Sequence, residues 1–316
     1  MSTFIREPLK KSNISLLWSV INGKYQPDRA WRSKLFCLKF LLRCGCYPVV
    51  SYRYLNILTG LDLFPLLLER QGLLPAKIHR PYLQAGLDVR HRAAAIVSHY
   101  ELLLSLDNPR LQKLLSQHTA CPLLEWTTVN GHDFMLNCGP ARFDREGEVM
   151  LCLYYQQQVV AMVTFSLIFH RGCPVLFIGG LQGPSGDDAV ELVRQATREA
   201  SGLFPKRILI EAVYMIAAAC SVSGIIAVSE HSHVFRSLRY RRSKQDKFFA
   251  SYSAFWESLG GEPESEGLYR LPLQVIRKPL EEVVSKKRAE YRRRYQLLEA
   301  LEQQFMDALG ITAPLS

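Results

Sequence analysis

The sequence predicts an α+β protein: an N-terminal helical region, then a mixed, mostly antiparallel sheet with flanking helices, then a long C-terminal helix. Three observations carry this. Leucine-rich runs with helical spacing fill the chain to about residue 117, and five β-prone runs with short connections follow between Leu123 and Gly179. An apolar stripe at residues 280, 284, 291, 295, 298, 301, 305 and 309 then closes the chain. The expected boundaries are 1–118 for a basic helical region, 119–270 for an α/β domain and 271–316 for a charged helix. At 316 residues, with 48% apolar and 22% charged content, the chain is long enough for this division and for a core that needs no staples.

The N-terminal region carries most of the charge. The whole chain has 39 bases against 29 acids, a net charge of +10, whereas residues 1–53 alone hold ten bases against Glu7 and Asp28. Such an excess favours anionic partners. Trp31 to Cys44 places bases at 32, 34, 39 and 43 among apolar residues at 31, 35, 38, 41 and 42, a basic amphipathic helix. Read functionally, it lies on an anionic inner-membrane lipid surface; read structurally, it packs on the second domain. The apolar stretch Leu35 to Val50 is broken by Lys39 and Arg43 and stops at Pro48, short of the ~20 residues a spanning helix needs. With no transmembrane helix, and no apolar core and cleavage site of a signal peptide near the start, the expectation is a cytoplasmic chain, peripheral on the inner membrane. Residues 52–116 read as short packed helices broken at Gly60, Pro65, Pro75 and Pro81. Within them Arg90, His91, Arg92, His99 and Tyr100 read as a solvated polar cluster at a helix start.

From Cys121 the character changes. Leu123 to Val129 and Asp133 to Asn137 form a hairpin about Asn130-Gly131, a dipeptide that tolerates positive φ. Arg142 to Glu148 reads as a charged turn, followed by strands at Val149 to Tyr155, Val159 to Phe169 and Val175 to Gly179, together an antiparallel meander. A Gly-rich exit, Gly179 to Gly186, leads into a helix from Asp187 to Ser201. Gly180, Gln182, Gly183 and Gly186 are the candidate cofactor-binding positions, because glycine lets backbone N–H groups approach an anion at a helix start. A helix from Arg207 to Ser221, a strand from Gly224 to Val228 and the loop Ser229 to His233 then form a parallel crossover, and ligands collect beyond the carboxyl ends of such strands. Glu230, His231 and His233 are therefore acid/base candidates, and Glu211 is a candidate buried carboxylate within an apolar helix. The eight cysteines contain no C-x-x-C pair, so no metal is expected. A second basic patch, Arg236 to Lys247, lacks any nucleic-acid motif, which leaves nucleic acid below membrane phosphate as a partner.

Four ordered segments carry a resemblance: Phe177-Ile178-Gly179-Gly180-Leu181-Gln182-Gly183, Phe204-Pro205-Lys206-Arg207, Tyr252 to Gly261, and Lys286 to Tyr295. From about Arg80 onward the chain resembles the VirK/YbjX family (DUF535) of enterobacteria. The resemblance implies an envelope role: correct surface localisation of an outer-membrane autotransporter, with antimicrobial-peptide resistance in relatives and autotransporter biogenesis factors as partners. It carries over no catalytic residue. The order of elements after Cys121 is also similar to the GNAT acyltransferase fold, which implies an acyl-CoA or acyl-carrier donor, with Glu230, His231 or Glu211 as general base. Gln182-Gly183-Pro184-Ser185-Gly186 departs from that fold's usual Gln/Arg-x-x-Gly-x-Gly/Ala turn. The competing reading is a non-enzymatic peripheral scaffold or chaperone for envelope assembly.

Overall fold

A computed structural model describes residues 11–236, 252–264, 267–274 and 277–312. The N-terminal region is helical throughout: α1 (Lys11–Ile21), α2 (Lys34–Cys46), α3 (Pro48–Gly60), α4 (Phe64–Arg70), α5 (Val89–Leu104) and α6 (Pro109–Ser116). Local chemistry sets their starts. Ser33 accepts the Phe36 N–H at the head of α2, Asp88 that of His91 at the head of α5, and Asn108 those of Arg110 and Leu111 at the head of α6. Pro48, Pro65 and Pro109 sit in first turns, where no N–H is required. Of the expected breaks, Gly60 ends α3, whereas Pro65 lies in the first turn of α4 rather than ending a helix.

The sheet has eight strands: β1 (Cys121–Thr127), β2 (Asp133–Pro140), β3 (Val149–Tyr155), β4 (Gln158–His170), β5 (Cys173–Gln182), β6 (Ile225–Val228), β7 (Glu262–Glu264) and β8 (Leu268–Leu271). Their order is β1-β2-β3-β4-β5-β6-β8-β7. β5 and β6 are parallel and the other neighbours antiparallel. The expected five-stranded meander is present, with the Gly131 turn at φ +79° joining β1 to β2. A parallel joint requires a crossover, here supplied by α7 (Ala189–Glu199) and α8 (Pro205–Ala219). The short β7–β8 hairpin is an addition to the sequence-based expectation. The C-terminal helix begins later than Pro279: after α9 (Tyr252–Ser258), two 3-10 turns precede α10 (Arg288–Leu309), which stops at Gly310 with φ +66°.

β4 and β5 are buried almost without interruption, so both faces of the sheet centre are covered. Most of the buried apolar side chains form one cluster running from Leu17 in α1 to Leu309 in α10, and Ala141, Met150 and Cys152 form a small second one. Inside the larger cluster lies a charged group. Glu148, fully buried just before β3, accepts hydrogen bonds from Lys77 Nζ at 2.6 Å, Tyr82 hydroxyl at 2.8 Å and Tyr100 hydroxyl at 2.9 Å. The Lys77 ammonium also donates to Gln71 Oε1, and Arg70 donates to the Glu148 carbonyl at 2.8 Å. His99 and Tyr100, expected in a solvated cluster, are instead buried beside this group, because α5 turns that face onto β4. Burial alone would raise the Glu148 pKa, but the Lys77 ammonium and the hydrogen bonds from Lys77 and Tyr82 outweigh it and hold the carboxyl down, at about 2. Burial lowers His99 to about 3, so this imidazole is neutral and accepts the Leu167 N–H on Nδ1.

Removing one member of a buried pair leaves the other charge uncompensated. Glu148→Gln should therefore cost about 3–5 kcal/mol of folding stability in urea unfolding, and adding Lys77→Met should recover part of that loss. Because the Glu148 pKa is lowered on folding, its contribution is complete above the ordinary carboxyl value of 4.5 and is lost as pH falls toward about 2. The stability gap between the wild type and Glu148→Gln should narrow over that window.

Candidate functional site

The parallel joint opens at its carboxyl end. Its ladder pairs Leu176 with Ile225, Phe177 with Ile226 and Ile178 with Ala227, and β5 then continues to Gln182 paired with β4 but not with β6. Beyond the ladder, side chains of α9 take the backbone groups. Leu181 N–H donates to the Tyr252 hydroxyl at 3.1 Å, and Trp256 Nε1 donates to the Val228 carbonyl at 2.8 Å. β5 is also bulged here: Thr164 faces Gly180 while Phe165 faces Ile178, so Gly179 is the extra residue.

Glu146 fills the space over the bulge. A Cβ on Gly179 would collide with the Glu146 carbonyl, and one on Gly180 with its carboxylate. Glycine at both positions thus follows from the close approach of another chain segment. The Glu146 carboxylate, 1% exposed, accepts from Gln182 Nε2 at 2.8 and 3.0 Å, and His233 Nε2 lies 3.4 Å from its Oε1. His233, also 1% exposed, accepts the Phe235 N–H on Nδ1 at 3.3 Å, which assigns the ring proton to Nε2, on the Glu146 side. The Tyr252 ring lies 5.7 Å from that of His233, and burial and the Glu146 charge raise the Tyr252 pKa, so the phenol keeps its proton.

Three loops hold this arrangement. Leu83 N–H donates to the Arg145 carbonyl at 2.7 Å, Ala85 N–H to the Ser232 carbonyl at 2.7 Å, and Gln84 bridges to His233. Among the described residues the buried Gln84 side-chain oxygen has no hydrogen-bond partner. A carboxylate, an imidazole and a phenol thus meet where two parallel strands part. Such a set can accept, hold and return a proton.

The candidates named from sequence are distributed more widely. His233 is in this cluster, as are Gly180 and Gln182. Glu230 is nearby, but its carboxylate accepts the Ser253 N–H at 3.0 Å and the Ser253 hydroxyl at 2.9 Å, which caps the start of α9. Burial would raise its pKa, yet the hydrogen bonds from Ser253 prevail and lower it. His231 has an 80% exposed side chain 3.6 Å from Glu230. Glu211 is buried on α8 and paired with Arg207 at 2.8 Å; burial raises its pKa against the pull of Arg207. Gly183 has open space where a side chain would stand, and Gly186 holds φ +114°. Lys206, at the start of α8, approaches Gly183; among the described residues it has no hydrogen-bond or ion-pair partner, and burial lowers its pKa. The basic run Arg236 to Lys247 lies, past Arg236, outside the described residues. Glu146 was missed because Arg142 to Glu148 reads as a solvated charged turn; its one sequence signal is the adjacent pair Gly179-Gly180, which marks a close approach without naming the partner.

The two glycines should respond differently to a methyl group. Gly179→Ala opposes a backbone carbonyl and should lower the thermal midpoint strongly, whereas Gly180→Ala opposes a side chain that can swing away and should cost less stability. Circular-dichroism melts of the two variants check this order.

The model of the family described as "Protein of unknown function (DUF535)" matches residues 29–307. The chain is 39% identical over 295 residues to the Escherichia coli (strain K12) protein YbjX, described as uncharacterized, covering 93% of this chain and 89% of that one. It is 37% identical to an uncharacterized Haemophilus influenzae protein over 128 residues, covering 40% of this chain and 41% of that one. To another from the same organism it is 27% identical over 214 residues, covering 67% and 66%. A match over most of the chain, joined to a relative this similar over nearly its whole length, establishes that the chain belongs to the DUF535 family, that of YbjX and VirK.

Proposed function

We propose that the chain is an acyltransferase of the bacterial envelope, moving an acyl group from a thioester, acyl-CoA or an acyl carrier, onto an amine or hydroxyl. The observation that carries this reading is the buried Glu146–His233 pair at the open end of the β5/β6 joint, against the bulged Gly179-Gly180. The same features support the similarity to the GNAT fold: a meander, a glycine-containing strand exit, a crossover, and a parallel strand that parts from its neighbour. The envelope role implied by the family resemblance would then reflect acylation of a lipid or surface component.

In this reading Glu146 takes the proton of the nucleophile as the new C–N or C–O bond forms. It returns that proton to the departing sulfur as the C–S bond breaks. Gln182 orients the carboxylate, His233 Nε2 stands 3.4 Å from it, and Tyr252, which keeps its proton, donates a hydrogen bond to the leaving sulfur. The donor's phosphates would lie over Gly183 to Gly186 at the start of α7, facing Lys206, where the backbone is open and a cation lacks a partner. Asp187 and Asp188, exposed at the same helix start, oppose an anion there.

The second reading, a non-enzymatic scaffold or chaperone for envelope assembly, is favoured by a different observation. Tyr252 and Trp256 fill the gap between the strands, and neither Glu146 nor His233 is open to solvent.

Titration with acetyl-CoA and long-chain acyl-CoA, read by thermal shift and by chromatographic detection of released CoA, separates the two. The enzyme reading expects binding by the wild type, with donor binding retained and turnover reduced by about 10²–10⁴ in Glu146→Gln. Absence of both binding and release at every chain length leaves the scaffold.

A further inference from the structure

α2 and α3 meet at a bend of 113°, and the elbow between them projects into solvent. Residues 45–49 are all exposed. α2 buries one face through Phe40 and half-buried Phe36, whose rings meet Trp31 at 5.3 and 5.0 Å. Its opposite face is apolar as well: Leu35, Leu38 and Leu42 fall on one stripe at helical spacing and are 58%, 53% and 61% exposed. Val49 and Tyr52 on α3 extend this exposure past the bend, with Tyr47 at its corner. Contiguous exposure of large apolar groups is rare on a surface that faces only water.

Charge indicates what covers it. From residue 29 to residue 61 the chain holds Arg29, Arg32, Lys34, Lys39, Arg43 and Arg53 and no acid. Among the described residues none of Arg29, Lys34, Lys39, Arg43 and Arg53 has an ion-pair partner. On α2, Lys39 and Arg43 flank the leucine stripe on one side and Lys34 on the other, the arrangement in which long basic side chains reach outward while leucines sink. Tyrosines at the corner and on α3 suit the boundary between apolar and polar layers. No single described helix is long and apolar enough to cross a membrane, and α2 and α3 reach the length and apolarity of a span only together, across the 113° bend.

We infer that the α2–α3 elbow is a docking surface for an anionic lipid bilayer, with Leu35, Leu38, Leu42 and Val49 entering the headgroup layer while Lys34, Lys39 and Arg43 meet lipid phosphates. This surface is separate from the cluster around Glu146 and stands whether or not acyl transfer occurs.

Vesicle co-sedimentation of the full chain tests it, comparing phosphatidylcholine alone with phosphatidylcholine plus phosphatidylglycerol. Binding is expected only to the phosphatidylglycerol vesicles and should weaken as salt rises. Lys39→Glu with Arg43→Glu, and separately Leu38→Ser with Leu42→Ser, should each reduce partitioning by about tenfold or more at unchanged thermal midpoint. All four side chains are at the surface or half-exposed, so the fold should tolerate the changes. Absence of binding to phosphatidylglycerol vesicles, or binding unaffected by both double variants, overturns the proposal. A dimer in light scattering that the serine variant dissolves, without vesicle binding, would make the elbow an interface between copies and would equally overturn it.

Discussion

The Glu148 carboxylate is the point at which the two halves of this molecule are fastened. A carboxylate in an apolar core is tolerated only if its oxygens are fully engaged and its charge is matched. Here the matching cation is Lys77, from a 3-10 turn of the N-terminal region, and the phenols come from Tyr82 and from Tyr100 of α5, whereas the acid belongs to the sheet. The helical region cannot lift off the sheet without exposing a cavity and stranding a charge on each side. Tyr82 also lies 3.0 Å from Ser166 on β4, and Ser166 Oγ accepts the Glu148 N–H, so the network fixes backbone as well as side chains.

That fixation reaches the candidate site through a single residue. Glu146 and Glu148 flank Gly147, whose position against the Phe165 carbonyl leaves no room for a Cβ. The segment therefore lies flat on β4 and sends its two carboxylates to different places: Glu148 to an ammonium and two phenols, Glu146 to the Gln182 amide and the His233 ring. The first set holds a permanent anion. The second set, an amide and an imidazole, contains no lysine or arginine. Two acids two residues apart thus meet entirely different surroundings from one flat segment.

Elements whose signals are local were legible. The β1–β2 hairpin follows from Asn130-Gly131, the meander from short turns between apolar runs, and the crossover from a helix preceding the buried strand Ile225–Val228. Features that depend on distant partners were not. Glu148 pairs with Lys77 across 71 positions and with Tyr82 across 66, so within its own segment it looks like one charge among many in a loop. Glu230 looks like a base until α9, 23 positions on, is seen to require a cap. β7 and β8, of three and four residues with Pro263 between two glutamates, are too short to show an alternation. Of the site, sequence reasoning reached His233, Gly180 and Gln182, because loops after parallel strands are where chemistry collects; it could not reach the acid that those glycines accommodate.

The same distinction between local and distant signals explains where the net charge of +10 resides. Two of the bases that enter the molecule are matched, Lys77 by Glu148 and the half-buried Arg207 by Glu211, whereas half-buried Lys206 has no such partner among the described residues. An unmatched base is costly in a core and nearly free in water, so the excess must lie outside. It need not, however, lie among exposed leucines. A helix that is apolar on nearly every side is ordinarily enclosed, yet α2 packs inward through Phe36 and Phe40 and leaves Leu35, Leu38 and Leu42 uncovered beside Lys39 and Arg43. Water alone favours neither the exposed leucines nor the accumulation of like charge. An environment that is apolar at one depth and anionic at the next favours both together, which is the ground for proposing that the elbow docks on an anionic bilayer.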